Sequence, residues 1–251
     1  MDIYDIIFIT DFLLPSCKCR GWEVKNMEEH RMDYLDQIGA YGQLIVISGP
    51  AGVGKRTLVR EYLKLHPVAV KCPTVTTRAM RPGEEDGREH FFISHKEFDQ
   101  MIRSRQLVDY TYYNKIGYGS TKHAIETLRS QGRNVILIED VVGSMRVKAQ
   151  YSDATLIFFV TPTWEELEER IRLRAKSTEE LEDRLIHAQE QILCADQFDY
   201  VLVNDTVEKS VRRLGQIIHG NRYAKHMMKK FIDSYVESEI QSHFVDELKE
   251  I

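Results

Sequence analysis

The sequence predicts an α/β fold, a parallel sheet built around a phosphate-binding loop (P-loop) and covered by helices on both faces. Three observations predict it. Short apolar runs recur along the chain as "GQLIVISGP", "HPVAVKC", "NVILIED", "ATLIFFV" and "DYVLVND". They are continuous in Val, Ile and Leu rather than alternating, which suits strands buried on both sides. Helical patterns separate them, and strands alternating with helices imply βαβ units. The first run also leads straight into "GPAGVGKRTL", from Gly49 to Leu58.

The elements follow in order. The N-terminal "MDIYDIIFITDFLLPSC" is apolar but interrupted by Asp2, Asp5 and Asp11. It lacks a basic leader and is too short to span a bilayer. Residues 1–40 therefore read as an extension of unassigned role, with Met27 and Met32 as alternative starts. In the loop, Gly49, Gly52 and Gly54 let backbone N–H groups turn inward around an anion, with Pro50, Ala51 and Val53 between them. Lys55 supplies a point charge for the terminal phosphates. The helix after it shows Leu58, Val59, Tyr62 and Leu63 at helical spacing.

The stretch from Pro73 to Gly119 breaks the rhythm. It is rich in Thr, Arg, Gly and Tyr, and reads as a small mixed β insertion, about 73–120. Ser94-x-x-Glu97, Thr163-x-x-Glu166 and Ser177-x-x-Glu180 each read as a capping box. From Asn221 onward, Met227, Met228, Phe231, Ile232, Tyr235 and Val236 fall at helical spacing, so 221–251 reads as one amphipathic helix after a Gly220 stop. That helix either packs on its own domain or forms a homodimer interface.

Composition narrows the partners. A hydrophobic content of 43% can fill a core, and the formal net charge of −5 argues against a general nucleic-acid binder. No segment reads as a membrane span. The four cysteines, Cys17, Cys19, Cys72 and Cys194, lack zinc spacing and read as reduced thiols of a cytoplasmic protein. No protein metal site is expected.

Arg78 and Arg81, three apart among hydroxyls and before a Pro-Gly turn, have the planar forks that grip phosphate. Together with "GPAGVGK", "TTRAMRPGE", "DGRE", "FFIS", "GYGS", "RLIHAQEQI" and "YVLVND" in that order, they resemble guanylate kinase from about Gln43 to Ile218. The resemblance implies a domain over 41–220 with a nucleotide-binding core, a GMP-binding insertion and a helical lid over about 164–190. It implies transfer of a phosphoryl group from ATP to GMP, with Mg²⁺ accompanying ATP.

Residue by residue, it places Arg78, Arg81 and Tyr118 at the GMP phosphate, and His90 where a phosphate-contacting tyrosine is usual. Thr74 and Ser120 fall at the base. Asp109 stands where a glutamate accepts from guanine, one methylene short. Asp140 matches an active-site acid. Arg170, Arg174 and Arg184 match lid arginines, and Asn204 an asparagine beside the adenine. Lys55, Arg78, Arg174 and Arg184 would form the cationic ring that phosphoryl transfer needs.

The pattern departs at four positions. Arg56 replaces the hydroxyl residue that completes a magnesium shell, and a guanidinium only donates. Thr57 lies one helical step away, a turn of about 100°. Ile138 stands where a further acid is common, and strand alternation sends Glu139 to the opposite face. Ala175 follows the lid arginine in place of glycine. The expectation is a guanylate kinase with a weakened magnesium position. The alternative is a guanylate-kinase-like scaffold that binds phosphorylated partners through the GMP pocket, and a third reading is a P-loop enzyme with another acceptor base.

Overall fold

The computed structural model describes residues 41–233, apart from 89, 226, 230 and 231. The N-terminal extension, Cys17, Cys19 and most of the C-terminal amphipathic stretch lie outside the described residues. Nine strands and seven helices are described. The strands are β1 (Leu44–Ser48), β2 (Ala69–Lys71), β3 (Thr74–Thr76), β4 (His90–Phe92), β5 (Leu107–Tyr113), β6 (Ile116–Thr121), β7 (Asn134–Ile138), β8 (Thr155–Val160) and β9 (Tyr200–Val203). The helices are α1 (Lys55–Leu65), α2 (His95–Arg103), α3 (Lys122–Ser130), α4 (Val141–Gln150), α5 (Trp164–Arg172), α6 (Thr178–Leu193) and α7 (Val207–Asn221).

The five apolar runs form one parallel sheet in the order β2-β7-β1-β8-β9. Alternation within each run explains why it needs no polar face. Ile45 and Ile47 of β1 join Leu58, Leu167 and Leu214 from α1, α5 and α7 on one side. Leu44 and Val46 join Ile125 and Val147 from α3 and α4 on the other. The phosphate loop leaves the central strand, and the carboxyl ends of β7, β8 and β9 surround it. This is where open α/β sheets place their ligands.

The insertion is a second sheet, β4-β3-β6-β5, with β3–β4 parallel and the other pairs antiparallel. Its back packs on Phe98 of α2, which is fully buried with Val75 and Leu107. A Cβ at Gly117 would come 2.6 Å from the Phe98 ring, so glycine there lets the ring lie flat on the strand.

Three expectations change. Only Ser94 and Glu97 complete the reciprocal capping box. Thr163 and Ser177 cap their helices, but Glu166 pairs with Arg170, and Glu180 accepts from the Lys176 N–H at 2.8 Å. Gly220 does not stop its helix either, because α7 runs one residue further. Asn221 is buried there and donates to Gln43 Oε1 at 2.8 Å, while Gln43 Nε2 donates to the Ile218 carbonyl at 2.9 Å. That polar anchor outweighs the cost of a glycine inside the helix. The single helix predicted from Asn221 is broken by turns from 222 to 225, and helical backbone is seen again at Lys229, Ile232 and Asp233.

Arg129, at the end of α3, is the largest fully buried side chain. It donates to the Gly42 carbonyl at 2.8 Å, pairs with Asp153, and lies 4.4 Å from the centre of the Tyr41 ring. Arg129→Met is expected to destabilise the chain by about 3 kcal/mol, because it strands a carboxylate and a carbonyl. Urea unfolding checks this; an unchanged midpoint would mean the pair contributes nothing.

Candidate active site

The phosphate loop is braced from beneath. Gly54 caps α1 at φ 91°, and a Cβ there would lie 2.6 Å from Asn204 Nδ2. That amide, buried at the end of β9, donates to the Val53 carbonyl at 2.6 Å. Asn204 therefore spends its amide on holding the loop. Val53 sits in the core and offers only its backbone to a ligand. The first turn of α1 has no side-chain cap and no acidic residue, so its positive end is uncompensated.

Lys55 folds back over the loop. Its Nζ donates to the carbonyls of Gly49 and Pro50, the latter at 3.1 Å. Burial, reinforced by the like charges of Arg56 and Arg174 and opposed by Asp140, pushes its ammonium down to about 8. The charges of Arg56, Arg174 and Asp140 are thus felt at the lysine. Arg56 and Thr57 are exposed on the first turn.

The front of the insertion sheet gathers the acceptor candidates. Register puts Thr74 beside His90, Thr76 beside Tyr118, and Asp109 beside Ser120. Residues paired across strands share a face, which explains the grouping. Thr74 Oγ1 and His90 Nδ1 are 2.7 Å apart, and the His90 ring meets Tyr118 edge-on. Arg78 lies 5.2 Å from the centre of the Phe92 ring. Its fork is engaged by Glu84, with Nη1 and Nη2 donating to the two carboxylate oxygens at 2.7 and 2.6 Å. Glu84 also accepts from the Arg81 N–H at 2.9 Å, and the Arg78 fork first of all pulls its carboxyl down to about 2. Arg81 itself is exposed.

A third group lies where the two sheets meet. The expectation that Glu139 points away is overturned. Strand β7 ends at Ile138, which packs against the core, and the alternation ends with it. Glu139 instead accepts from Ser120 Oγ at 2.9 Å and is hydrogen-bonded to Asp109. Burial, then the charge of Asp109, raises its carboxyl to about 8 against the pull of Ser120. Asp140 caps α4, accepting from the Gly143 N–H at 2.6 Å. Arg146 of α4 donates to Asp109 Oδ1 at 2.9 Å.

The sequence model of the guanylate kinase family matches residues 41–221. The chain belongs to the guanylate kinase family. It is 38% identical over 178 residues to a guanylate kinase of Trichodesmium erythraeum, covering 70% of this chain and 96% of that protein. It is 40% identical over 171 residues to one of Thermosynechococcus vestitus, covering 68% and 90%. A solved guanylate kinase from Anaplasma phagocytophilum shares the fold, with a TM-score of 0.58 at 23% identity over 80% of this chain and 96% of that one.

For a guanylate kinase, α5 and α6 stand in the position of the lid. A Cβ at Gly52 would meet Ile171 and Leu167 of α5, so this helix rests on the phosphate loop. Arg170 pairs with Glu166 at 3.3 Å, and Arg184 with Glu180 at 2.6 Å, each one turn back along its own helix. Arg174, in the α5–α6 connection, is exposed and contributes charge at Lys55. The structure thus brings together Lys55, Arg174 and Asp140, and separately Asp109, Ser120 and Asp140. It leaves Arg170 and Arg184 paired within the lid. Glu84, Glu139 and Arg146 escaped the sequence reading. Glu84 stood in the quoted "RPGE", whereas nothing in the sequence pairs Arg146 with Asp109.

Proposed function

We propose that this chain transfers the γ-phosphoryl group of ATP to GMP, giving ADP and GDP. The observation that carries the reading is the position of Asp140. Its charge is felt at Lys55 on the donor side and at Glu139 on the acceptor side. One residue therefore borders both an anion cradle and a polar face of hydroxyls and acids. An acceptor phosphate oxygen would attack the γ-phosphorus there, and the bond to the β-phosphate oxygen would break. Lys55 and Arg174 would offset charge on the moving group, with Arg78, Arg81, His90 and Tyr118 at the acceptor phosphate. Thr74, Ser120 and Asp109 would meet the base. Asn204 would hold the ATP loop, and Arg170 and Arg184 would act once the lid closes. The reading carries a cytoplasmic location with it.

No group of three or more acidic, His or Cys side chains able to hold a metal is found among the described residues. The donor set fits an ion held mainly by substrate oxygens and water, with Asp140 as the nearest acid. Mg²⁺ arriving with ATP would neutralise phosphate charge. Arg56→Ser is expected to lower the Mg²⁺ concentration for half-maximal rate by roughly tenfold, about one ligand contact of 1.4 kcal/mol. An Mg²⁺ titration checks this, and an unchanged midpoint argues against Arg56 as the limit.

The reading itself is tested by coupled ADP release with GMP and excess Mg²⁺, beside calorimetry with GMP and then ATP–Mg²⁺. Release that depends on GMP, with both nucleotides bound, supports it. No ADP above background overturns it, and GMP binding alone assigns the site to a phosphate-reading scaffold.

A further inference from the structure

At the inner end of the acceptor face, several elements converge on one carboxyl group. Glu139 follows β7 and accepts from Ser120 of β6 at 2.9 Å. Asp109 of β5 is hydrogen-bonded to it, and Asp140 at the start of α4 adds a second nearby charge. The thiol of Cys72, just after β2, is the remaining titratable neighbour. Burial, with Glu139 adding to it, pushes that thiol up to about 12, so it stays neutral. Arg146 of α4 reaches the cluster through Asp109.

Asp109 is pinned. Arg146 Nη1 holds its Oδ1 at 2.9 Å, and a Cβ on Gly143 would come 2.6 Å from its Oδ2. Its side chain is 9% exposed, so a short, clamped carboxylate has little reach toward a ligand. Glu139 has one more methylene, lies in the same pocket, and remains partly open to solvent. Two hydrogen-bonded carboxyls cannot both ionise at modest cost. They hold one proton between them, and Arg146 balances the single remaining charge.

We propose that Glu139 is a base-reading residue of the acceptor pocket, sharing one proton with Asp109 so that the pair offers a purine edge both a donor and acceptors. The inference rests on GMP being the acceptor. Guanine presents two N–H donors beside one carbonyl oxygen, which a singly protonated carboxyl pair matches and a doubly ionised pair does not. Sites built to hydrogen-bond a ligand edge lose heavily when one partner is missing or of the wrong kind. Loss of the shared proton near the raised value of Glu139 would therefore weaken GMP binding above about pH 8.

The test measures KM for GMP at saturating ATP–Mg²⁺ from pH 6.5 to 9.5, in the full chain and in E139Q and E139A. In the wild type, KM for GMP is expected to rise about tenfold between pH 7 and pH 9. E139Q keeps a neutral donor and acceptor, so KM at pH 7 stays within about threefold and the alkaline rise disappears. E139A is expected to raise KM for GMP by roughly 10- to 100-fold, leaving KM for ATP within about threefold. Lys55 titrates in the same range but acts on ATP, so the alkaline limb seen with ATP varied should survive in E139Q. Thermal melts confirm folding; if E139A melts early, E139Q alone decides. A GMP profile for E139Q that keeps the wild-type rise overturns the proposal, as does an unchanged KM in a folded E139A. A wild-type chain that turns over no GMP removes instead the functional reading on which the proposal rests.

Discussion

Lys55→Ala is expected to lower GMP-dependent turnover by about 10³-fold or more, the scale of removing a preorganised charge from a phosphoryl-transfer site. The ammonium already lies over the loop, held by the carbonyls of Gly49 and Pro50. Burial and two neighbouring cations push its protonation down from the ordinary 10.5 to about 8. An incoming phosphate supplies the anion that this environment lacks, so binding would restore the full charge. The same shift gives a pH dependence. As pH rises through about 8 the charge is lost, and kcat/KM for ATP is expected to fall. The sign for stability is opposite. The folded chain holds this proton less tightly than the unfolded chain, so the contribution of Lys55 to stability is greatest above 10.5 and is lost as pH falls through about 8. Lys55→Met is therefore expected to melt no lower than the wild type at pH 7 while losing activity. Steady-state kinetics and a thermal melt on one preparation check both halves. A variant that keeps a tenth of wild-type turnover would remove Lys55 from the chemistry.

The core of the fold was legible because its rules are local and repeat. Continuous apolar runs gave the five parallel strands, and three glycines with a lysine gave the loop from the central one. The acceptor face needed strand register, which sets Asp109 beside Ser120 across an irregular pairing between Leu107 and Asp109. Glu139 was misread because alternation was carried one residue past the end of β7. Whether a strand continues or turns into a helix depends on its neighbour's hydrogen bonds, here the Glu139 N–H donating to the Ile47 carbonyl at 3.1 Å. Arg146 was out of reach for a different reason. Its partner Asp109 lies 37 residues away, and only packing of α4 on β5 makes them meet. The helix across Gly220 was misjudged because a stop signal was weighed without the buried amide one residue later.

Arg78→Lys keeps the charge but is expected to lower kcat/KM for GMP by about 10²- to 10³-fold, with KM for ATP nearly unchanged. The reason lies in how the guanidinium is held. Two of its nitrogens donate to Glu84, one also to the Ala79 carbonyl at 3.0 Å, and the planar group lies near the Phe92 ring. Such a fork can stay anchored by one edge while its remaining donors meet a phosphate. A lysine ammonium cannot serve Glu84 and a phosphate in two directions at fixed geometry. Glu84→Gln separates anchoring from charge. A carboxamide accepts through only one oxygen, so the fork keeps a single anchor and its own charge. Its loss in kcat/KM is expected to fall between wild type and Arg78→Lys. Varying GMP at fixed ATP–Mg²⁺ in both variants decides. If Arg78→Lys matches the wild type, Arg78 acts as a plain positive charge and the directed grip on the acceptor phosphate is wrong. If Glu84→Gln is the more damaged of the two, the carboxylate itself, rather than the fork it orients, has the direct role.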